Sequence, residues 1–470
     1  MESVVLSVTM PRSALDELLE IARVEKPAAD GVSFSGAEPV FPTRYRVGTA
    51  GAAALAAAGV AAADLWSLRT GRPRQRISVD IRAATASLRS GRYLRVNGAP
   101  PPEVWDAMSG FYPVAGGRSI SIHSNFAAHR AAMLRVLGTA EERAAAEEAS
   151  RGWDGLALED AIHAAGGCAG LAREPAEWQR HPQHAAVGNE PLLEITRIGD
   201  APAEPLAAGA RPLSGVRVLD LTRVLAGPTC ARTLAEHGAD VLKIGAAHIP
   251  DMKTTEIDTG IGKLSAQLDL RNPGELEALR TLLRDADVFS QSYRPGTLAA
   301  RGLSPEDAAR TRPGIVCVSL SAWGTTGPWR DRRGFDSIVQ TVSGMAFESG
   351  PKPRYLPVSA IDYVTGYLMA FGTLVALARR AREGGSWLVR ASLARTGRWI
   401  ADLGDLGADA IKGIPGELPA DEIERLTMEI DAPIGRVRHL KPVLAMSETP
   451  PHWARPPVPA GYHRAVWPER

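Results

Sequence analysis

Cysteine is scarce in this 470-residue chain: Cys168, Cys230 and Cys317, far apart in sequence. No CxxC and no Cys/His spacing is present, which excludes the common zinc clusters and a disulfide framework. A sparse, odd count points to a reducing compartment, and a cytoplasmic location is expected. Net charge is also lacking, at +1, and the arginines that supply most of the positive charge are spread along the chain. Neither nucleic acid nor an anionic membrane is therefore expected as the main partner. The N-terminus, MESVVLSVTMPRSALDELLE, has an acid at position 2 and no long apolar core, so no secretory signal is expected. The most apolar stretch, Ala50–Leu65, reads as too short and too Ala-rich to span a bilayer. GxGxxG, GxxxxGK[ST] and GxSxG are all absent, so the usual dinucleotide, P-loop and serine-hydrolase signatures are missing. His181 and His184 stand close together in HPQH, but no third ligand lies nearby and no metal site is expected.

Apolar residues make up 45% of the chain and charged residues 23%, the profile of a globular protein long enough for several domains. Its organising stretch is Pro212–Ile244, PLSGVRVLDLTRVLAGPTCARTLAEHGADVLKI. Val216–Leu221 is a near-continuous apolar run, as in a strand buried on both faces. Ala226-Gly227-Pro228 breaks the run, Cys230–His237 has helical composition, Gly238 can cap it, and Val241–Ile244 is a second strand. That order makes one βαβ unit. The alternation continues through strands at Leu264–Leu270, Val288–Phe289 and Ile315–Leu320, with a helix N-capped by Asn272 between the first two. The expected fold class is α/β with a mainly parallel sheet. Residues 91–198 read as a smaller α+β domain, 199–211 as a Pro/Ala/Gly-rich linker, 212–400 as the large domain and 401–470 as a Pro-rich tail packing back on it. A weak internal echo accompanies this: an Ala-rich helix at Ala50–Ser67 precedes a strand at Ile77–Ile81, as a helix at Tyr363–Arg382 precedes Trp387–Val389.

Few residues stand out for chemistry on composition alone. The loop VLAGPTCA can offer a helix N-terminus to a phosphate, or be only a tight turn. Asp362, just ahead of a long apolar helix, can be a helix cap or a nucleophile that attacks a thioester carbonyl. Asp336 is a second acid of interest, or a cap of its own helix. His123 and His129 read as structural or surface residues.

Taken together, PLSGVRVLDLTRVLAGP, GADVLKI, GKLSAQLDLR, ADVFSQSYRPGTLAARGLSPEDA, RPGIVCVSLSAWGTTGP, GFDSIVQTVSG and IDYVTGYLMAFGTLVALARR followed by GGSWLV resemble the family III CoA-transferases, the CaiB/BaiF or carnitine-dehydratase family. The Pro-rich RPPVPAG is similar to that family's closing segment. The resemblance implies a Rossmann-like large domain, a small domain, an interlocked homodimer and CoA-thioester chemistry on an aspartate. It places the nucleophile at Asp362, in the block Asp362-Tyr363-Val364-Thr365-Gly366, and CoA contacts at Val224, Leu225, Ala226, Leu268, Arg271, Ser292 and Tyr293. No cofactor is implied as a permanent ligand; coenzyme A thioesters are substrates, with a carboxylic acid as acceptor. Oxyanion donors are implied near Gly344 or Gly350.

The chain also departs from the family. Gly245-Ala246-Ala247 stands where a phosphate-binding Arg is common, and Ser321 where a Lys is common, so Arg271 or Arg294 would have to compensate. Phe335 replaces the His of the racemase members, against α-proton chemistry. GGRSISIHSNFAAHRAAMLRVLG and EWQRHPQ resemble small-domain segments but precede the large domain, so residues 1–90 are expected to be a degenerate large-domain remnant. The place of Asp362 in that remnant falls near Val47–Ala52, which holds no acid. The expected activity is transfer of CoA from an acyl-CoA to a carboxylic acid through an aspartyl mixed anhydride and an aspartyl-CoA thioester. The alternatives are an acyl-CoA isomerase, racemase or lyase on the same scaffold, or a non-catalytic CoA-ester-binding paralogue.

Overall fold

The computed structural model describes residues 2–102, 105–249, 251–348 and 350–469. Its centre is a seven-stranded sheet. In spatial order the strands are Lys263–Gln267, Asp240–Gly245, Arg217–Leu221, Val288–Gln291, Val316–Ser321, Ser386–Ser392 and Glu194–Gly199. The first six run parallel and Glu194–Gly199 closes one edge antiparallel to Ser386–Ser392. Numbered along the chain, the six parallel strands lie in the order 3-2-1-4-5-6, the doubly wound Rossmann-like arrangement.

The continuous apolar runs follow from this position. Val218, Val241 and Val288 enter one core, while their chain neighbours Leu219, Leu242 and Phe289 enter another. Successive side chains on a strand point to opposite faces, so a strand feeding two cores has no polar side to show. One core is closed by the helices Ala226–Glu236 and Ala360–Glu383, the other by Pro273–Arg284 and Pro305–Thr311. The strand order reverses between Arg217–Leu221 and Val288–Gln291. The loops at their carboxyl ends, Thr222–Leu225 and Ser292–Tyr293, meet there: the Arg223 amide donates to Ser292 Oγ at 3.3 Å. In open α/β sheets this is where ligands bind.

The break expected at Ala226–Pro228 lies inside a helix, which begins at Ala226. First-turn amides have no partner within a helix, so Pro228 there loses no hydrogen bond. Gly227 is required by packing, since a Cβ would lie 2.4 Å from Thr222. The Thr222 amide donates to Asp220 Oδ1 at 2.9 Å, and the other Asp220 oxygen pairs with buried Lys263 at 2.9 Å. Lys263 also donates to the Pro228 carbonyl at 2.9 Å. One buried ion pair thus ties two strands to the loop at the switch point.

The remaining chain wraps this domain. Gly110–Pro113, Ser119–Ile122 and Ala169–Leu171 form a small antiparallel sheet with its own core. Val32–Ser35 and Ile77–Asp80 pair in parallel, and Leu444–Met446 joins them from the far end of the chain. The hairpin of Thr427–Ala432 and Gly435–Leu440 adds Arg95–Val96 as a third strand. Beyond it the Pro-rich end runs along the large domain: the His463 amide donates to the Ser265 carbonyl at 2.7 Å, and Trp467 Nε1 to the Leu282 carbonyl at 3.0 Å. The Ala-rich helix is longer than its composition implied, Val47–Thr70. It and Ala360–Glu383 are each long and apolar enough to cross a membrane, yet both are buried in the fold and pack on each other. The three cysteine thiols are buried and unpaired.

Candidate active site

Asp362 is the third residue of the helix Ala360–Glu383, 8% exposed, and lines a cavity of about 500 Å³. It does not act as a cap. Ser359 holds the N-cap position without a side-chain bond, and no hydrogen bond to the Asp362 carboxylate is formed among the described residues. The cap comes from elsewhere: Asp336 Oδ2 accepts from the Asp362 amide at 2.9 Å. Asp336 therefore serves this helix and not its own, of which it is the first residue, after Phe335. Gln340, one turn on, donates to Asp336 Oδ1 and accepts from the Leu356 amide at 2.8 Å, which holds the carboxylate in place.

Two carboxylates thus stand together in a buried site. Burial pushes Asp336 up to about 6, opposed by its hydrogen bonds. Burial, and then the charge of Asp336, hold Asp362 well above the usual carboxylate range. Like charges this close titrate as a pair. The helix N-terminus offers partial positive charge to both. A carboxylate that is dehydrated, unbonded and facing a cavity is poised for nucleophilic or general-base work.

Val224 and Leu225 line the same cavity opposite the Asp362 helix. Val224 has φ +68, a strained conformation for a β-branched residue. Ala226 is buried behind them, its carbonyl 2.5 Å from where a Cβ on Gly366 would lie. That close approach requires the glycine of the DYVTG block. Of the other positions that the resemblance assigns to CoA, Ser292 meets Arg223 as above. Tyr293 lines a second cavity of about 330 Å³ that also holds Arg294 and Ser321. Leu268 is buried in the core on the far side of the sheet, and exposed Arg271 is paired with Asp269 at 2.6 Å. Neither lines either cavity. Ser321 Oγ accepts from the Gly324 amide at 3.1 Å, a turn-forming role. Gly344, φ +86, packs so that a Cβ would meet Pro175 at 2.6 Å. Neither it nor Gly350 lines the cavity.

Sequence reasoning missed much of the wall. His123 is buried and lies face to face with Phe335, centroids 3.7 Å apart at 7°. Burial lowers its pKa to about 3, so the ring is neutral. Trp105 stacks on Tyr355 at 5.3 Å, and both line the cavity. His129 packs edge-on against Phe335 at 5.8 Å. His181 caps the short helix Pro182–Gly188 and sits 4.3 Å from the Trp329 ring, a structural role. The rim is fastened by buried Asp258, which accepts from Ser90 Oγ and from Tyr363 Oη at 3.3 Å and pairs with Arg232 at 3.2 Å. No sequence signal linked these residues, because the contacts join segments far apart in the chain.

Residues 213–404 match the family model described as CoA-transferase family III. The resemblance read from the seven sequence blocks holds over this segment, which contains the parallel sheet, Asp336 and Asp362. A succinyl-CoA–L-malate CoA-transferase beta subunit from Chloroflexus aurantiacus is 33% identical over 199 residues, 39% of this chain and 49% of that protein. Human succinyl-CoA:glutarate CoA-transferase is 34% identical over 181 residues, 35% of this chain and 41% of that protein. Among solved structures, a CaiB/BaiF family protein from Brucella suis is 27% identical with a TM-score of 0.39, covering 41% of this chain and 56% of that one. The chain therefore spans about half the length, or less, of the curated relatives it matches.

Proposed function

We propose that the protein is a CoA-transferase that uses Asp362 as nucleophile. The observation that carries this reading is the unbonded, cavity-lining carboxylate of Asp362 on the helix capped by Asp336, within the segment that matches family III. The Asp362 oxygen attacks the thioester carbonyl, the C–S bond breaks, and CoA thiolate leaves a mixed anhydride. The thiolate attacks the aspartyl carbonyl and releases the donor acid, giving an aspartyl-CoA thioester. The acceptor carboxylate attacks that thioester, and the thiolate returns to the acceptor carbonyl, freeing Asp362 with no net consumption of water. Each step passes through an oxyanion. Coenzyme A thioesters act as substrates throughout, not as resident cofactors. The relatives' names point to dicarboxylate acids as acceptors.

Mixing a labelled acyl-CoA with a second carboxylic acid tests this. Label carried in the coenzyme A moiety should pass to the acceptor, hydroxylamine should convert the activated Asp362 carboxyl to a hydroxamate, and Asp362→Ala should do neither while keeping its fold. Full transfer by Asp362→Ala would remove the assignment. The same proposal includes a homodimer, checked by sedimentation, and a cytoplasmic location, supported by the three unpaired thiols.

One observation favours a second reading, an acyl-CoA racemase or isomerase with Asp362 as base. The His of the racemase members is Phe335 here, yet His123 enters the cavity from another segment and stacks on that Phe. Incorporation of solvent deuterium at the α-carbon of an acyl-CoA, lost in His123→Gln, would support it; transfer without exchange would end it.

A further inference from the structure

The three cations that line the Asp362 cavity, Arg89, Arg92 and Arg95, all come from outside residues 213–404. They lie on and to either side of the turn Ser90–Tyr93, held to the large domain by the Ser90–Asp258–Tyr363 contacts and by the Ser359 amide, which donates to the Leu88 carbonyl at 2.9 Å. Arg89 and Arg92 are both neutralised by Glu417, at 2.9 and 2.7 Å. Arg95 is different. One of its terminal nitrogens donates to the carbonyls of Arg92 and Leu94 at 3.0 and 2.7 Å, and it has no carboxylate partner among the described residues.

Its neighbour makes this unusual. Arg95 is paired directly with Arg438 across two antiparallel strands. Opposed residues on such strands project from the same face, and like charges there repel. Arg438 also has no carboxylate partner among the described residues, and its Nε is buried without a hydrogen bond. Glu429, opposite Arg438 on the next strand, is engaged by Arg436 at 2.6 Å. Two guanidinium groups without a carboxylate partner therefore belong to directly opposed residues, and one of them, Arg95, lines the cavity that also holds Asp258, Asp336 and Asp362. An anion between them would remove the repulsion, and the fork of each guanidinium suits a phosphate or carboxylate.

We propose that Arg95 and Arg438 form an anion subsite at the mouth of the Asp362 cavity. It takes the phosphate of a CoA ligand or the distal carboxylate of an acceptor acid. This rests on the transferase reading for the ligand's identity only. The subsite replaces, from outside the matched segment, cationic contacts that this chain lacks at Gly245–Ala247 and Ser321.

The test is calorimetric binding of four probes to the full chain and to Arg95→Gln, Arg438→Gln and the double variant. The probes are coenzyme A, dephospho-coenzyme A, succinate and butyrate. Removing a charge-assisted bond should cost about tenfold or more in affinity. Loss for coenzyme A with dephospho-coenzyme A unchanged assigns the subsite to the phosphate. Loss for succinate with butyrate unchanged assigns it to the acceptor. Melting curves without ligand guard against misfolding: a binding pair predicts an equal or higher melting temperature once one like charge is gone, whereas a structural pair predicts a lower one. Equal affinities of the full chain and the double variant for all four probes, or no binding by the full chain, would overturn the proposal. Binding needs no turnover, so absent label transfer with the affinity difference intact would end the transferase reading and leave the subsite standing.

Discussion

The helices Val47–Thr70 and Ala360–Glu383 are both 24 residues long and lie against each other. Each leads to a strand and then, without a break, to another helix: Ile77–Asp80 into Ile81–Ser87, and Ser386–Ser392 into Leu393–Asp402. Each is capped by a carboxylate from an earlier segment that accepts from the amide of its third residue. Glu38 takes the Thr49 amide at 2.9 Å, and Asp336 takes the Asp362 amide at 2.9 Å. Threonines of the following helix stand close in both: Thr85 beside Gly48, where a Cβ would lie 2.8 Å away, and Thr396, which accepts from Thr365 at 2.8 Å. The difference is at the third residue. Thr49 donates its hydroxyl to Glu38 at 2.6 Å, and Arg46 pairs with the same carboxylate at 3.3 Å, so that cap is fully engaged. At the other helix the third residue is a second carboxylate, turned to a cavity. One scaffold gives a satisfied cap in the first place and a like-charge pair in the second. Such a pair opposes folding, and sites that do so concentrate where chemistry needs them.

Four experiments break or sharpen this comparison. Replacing Asp362 by Asn removes the like-charge pair and makes the second helix resemble the first. Transfer should fall by about 10⁴-fold or more in a label assay, while the melting temperature at neutral pH should rise. A lower melting temperature would mean that the pair stabilises the fold. Next in size, Lys263→Met leaves Asp220 buried without its partner and unties the switch-point loop. A loss of about 3–5 kcal/mol in urea unfolding is expected; a loss within error would mean that the loop is held by other contacts. Thr49→Asp then puts an acid at the position in the first helix that Asp362 holds in the second. Thr49 is 1% exposed, so the new charge lies buried beside Glu38. Destabilisation of about 2–3 kcal/mol is expected, with no transfer gained when Asp362 is Asn. Recovered transfer would show that an acid at the third helix position suffices for chemistry.

The smallest effect is on pH dependence. Both Asp336, at about 6, and Asp362 are raised in the folded state. The folded protein holds these protons more tightly than the unfolded chain. Their contribution to stability is therefore full below about pH 4, and it falls as pH rises, through about 6 for Asp336 and through the raised pKa of Asp362. Asp362→Asn should flatten part of that fall in melts at stepped pH. If Asp362 is the nucleophile, transfer should rise with pH as its raised carboxyl ionises. Identical slopes in the two proteins would show that the acids are not coupled.

The large domain was legible because its signals are local. Val216–Leu221 reads as a doubly buried strand from its own residues, and the sheet confirms both faces. The DYVTG block pointed to Asp362 through resemblance, and the structure places that carboxylate in a cavity. Where local reading failed, a neighbour distant in sequence was responsible. Ala226–Pro228 has the composition of a loop, but a first helical turn tolerates Pro228, and Gly227 is needed against Thr222. Asp336 has the sequence context of a cap for its own helix, but Gln340 and the Asp362 amide turn it to another. His123 read as structural or surface because nothing near it in sequence shows that it lies on Phe335.

By itself, then, the sequence determined the strand–helix alternation, the switch-point loop and the helix that carries Asp362, since periodicity and turn chemistry act over a few residues. Only the tertiary structure decided which acid caps that helix, which groups raise its pKa, and that Arg438 lies opposite the cavity-lining Arg95. Those properties depend on dehydration and on charges brought within a few ångströms by segments hundreds of residues apart, and no local pattern encodes such distances.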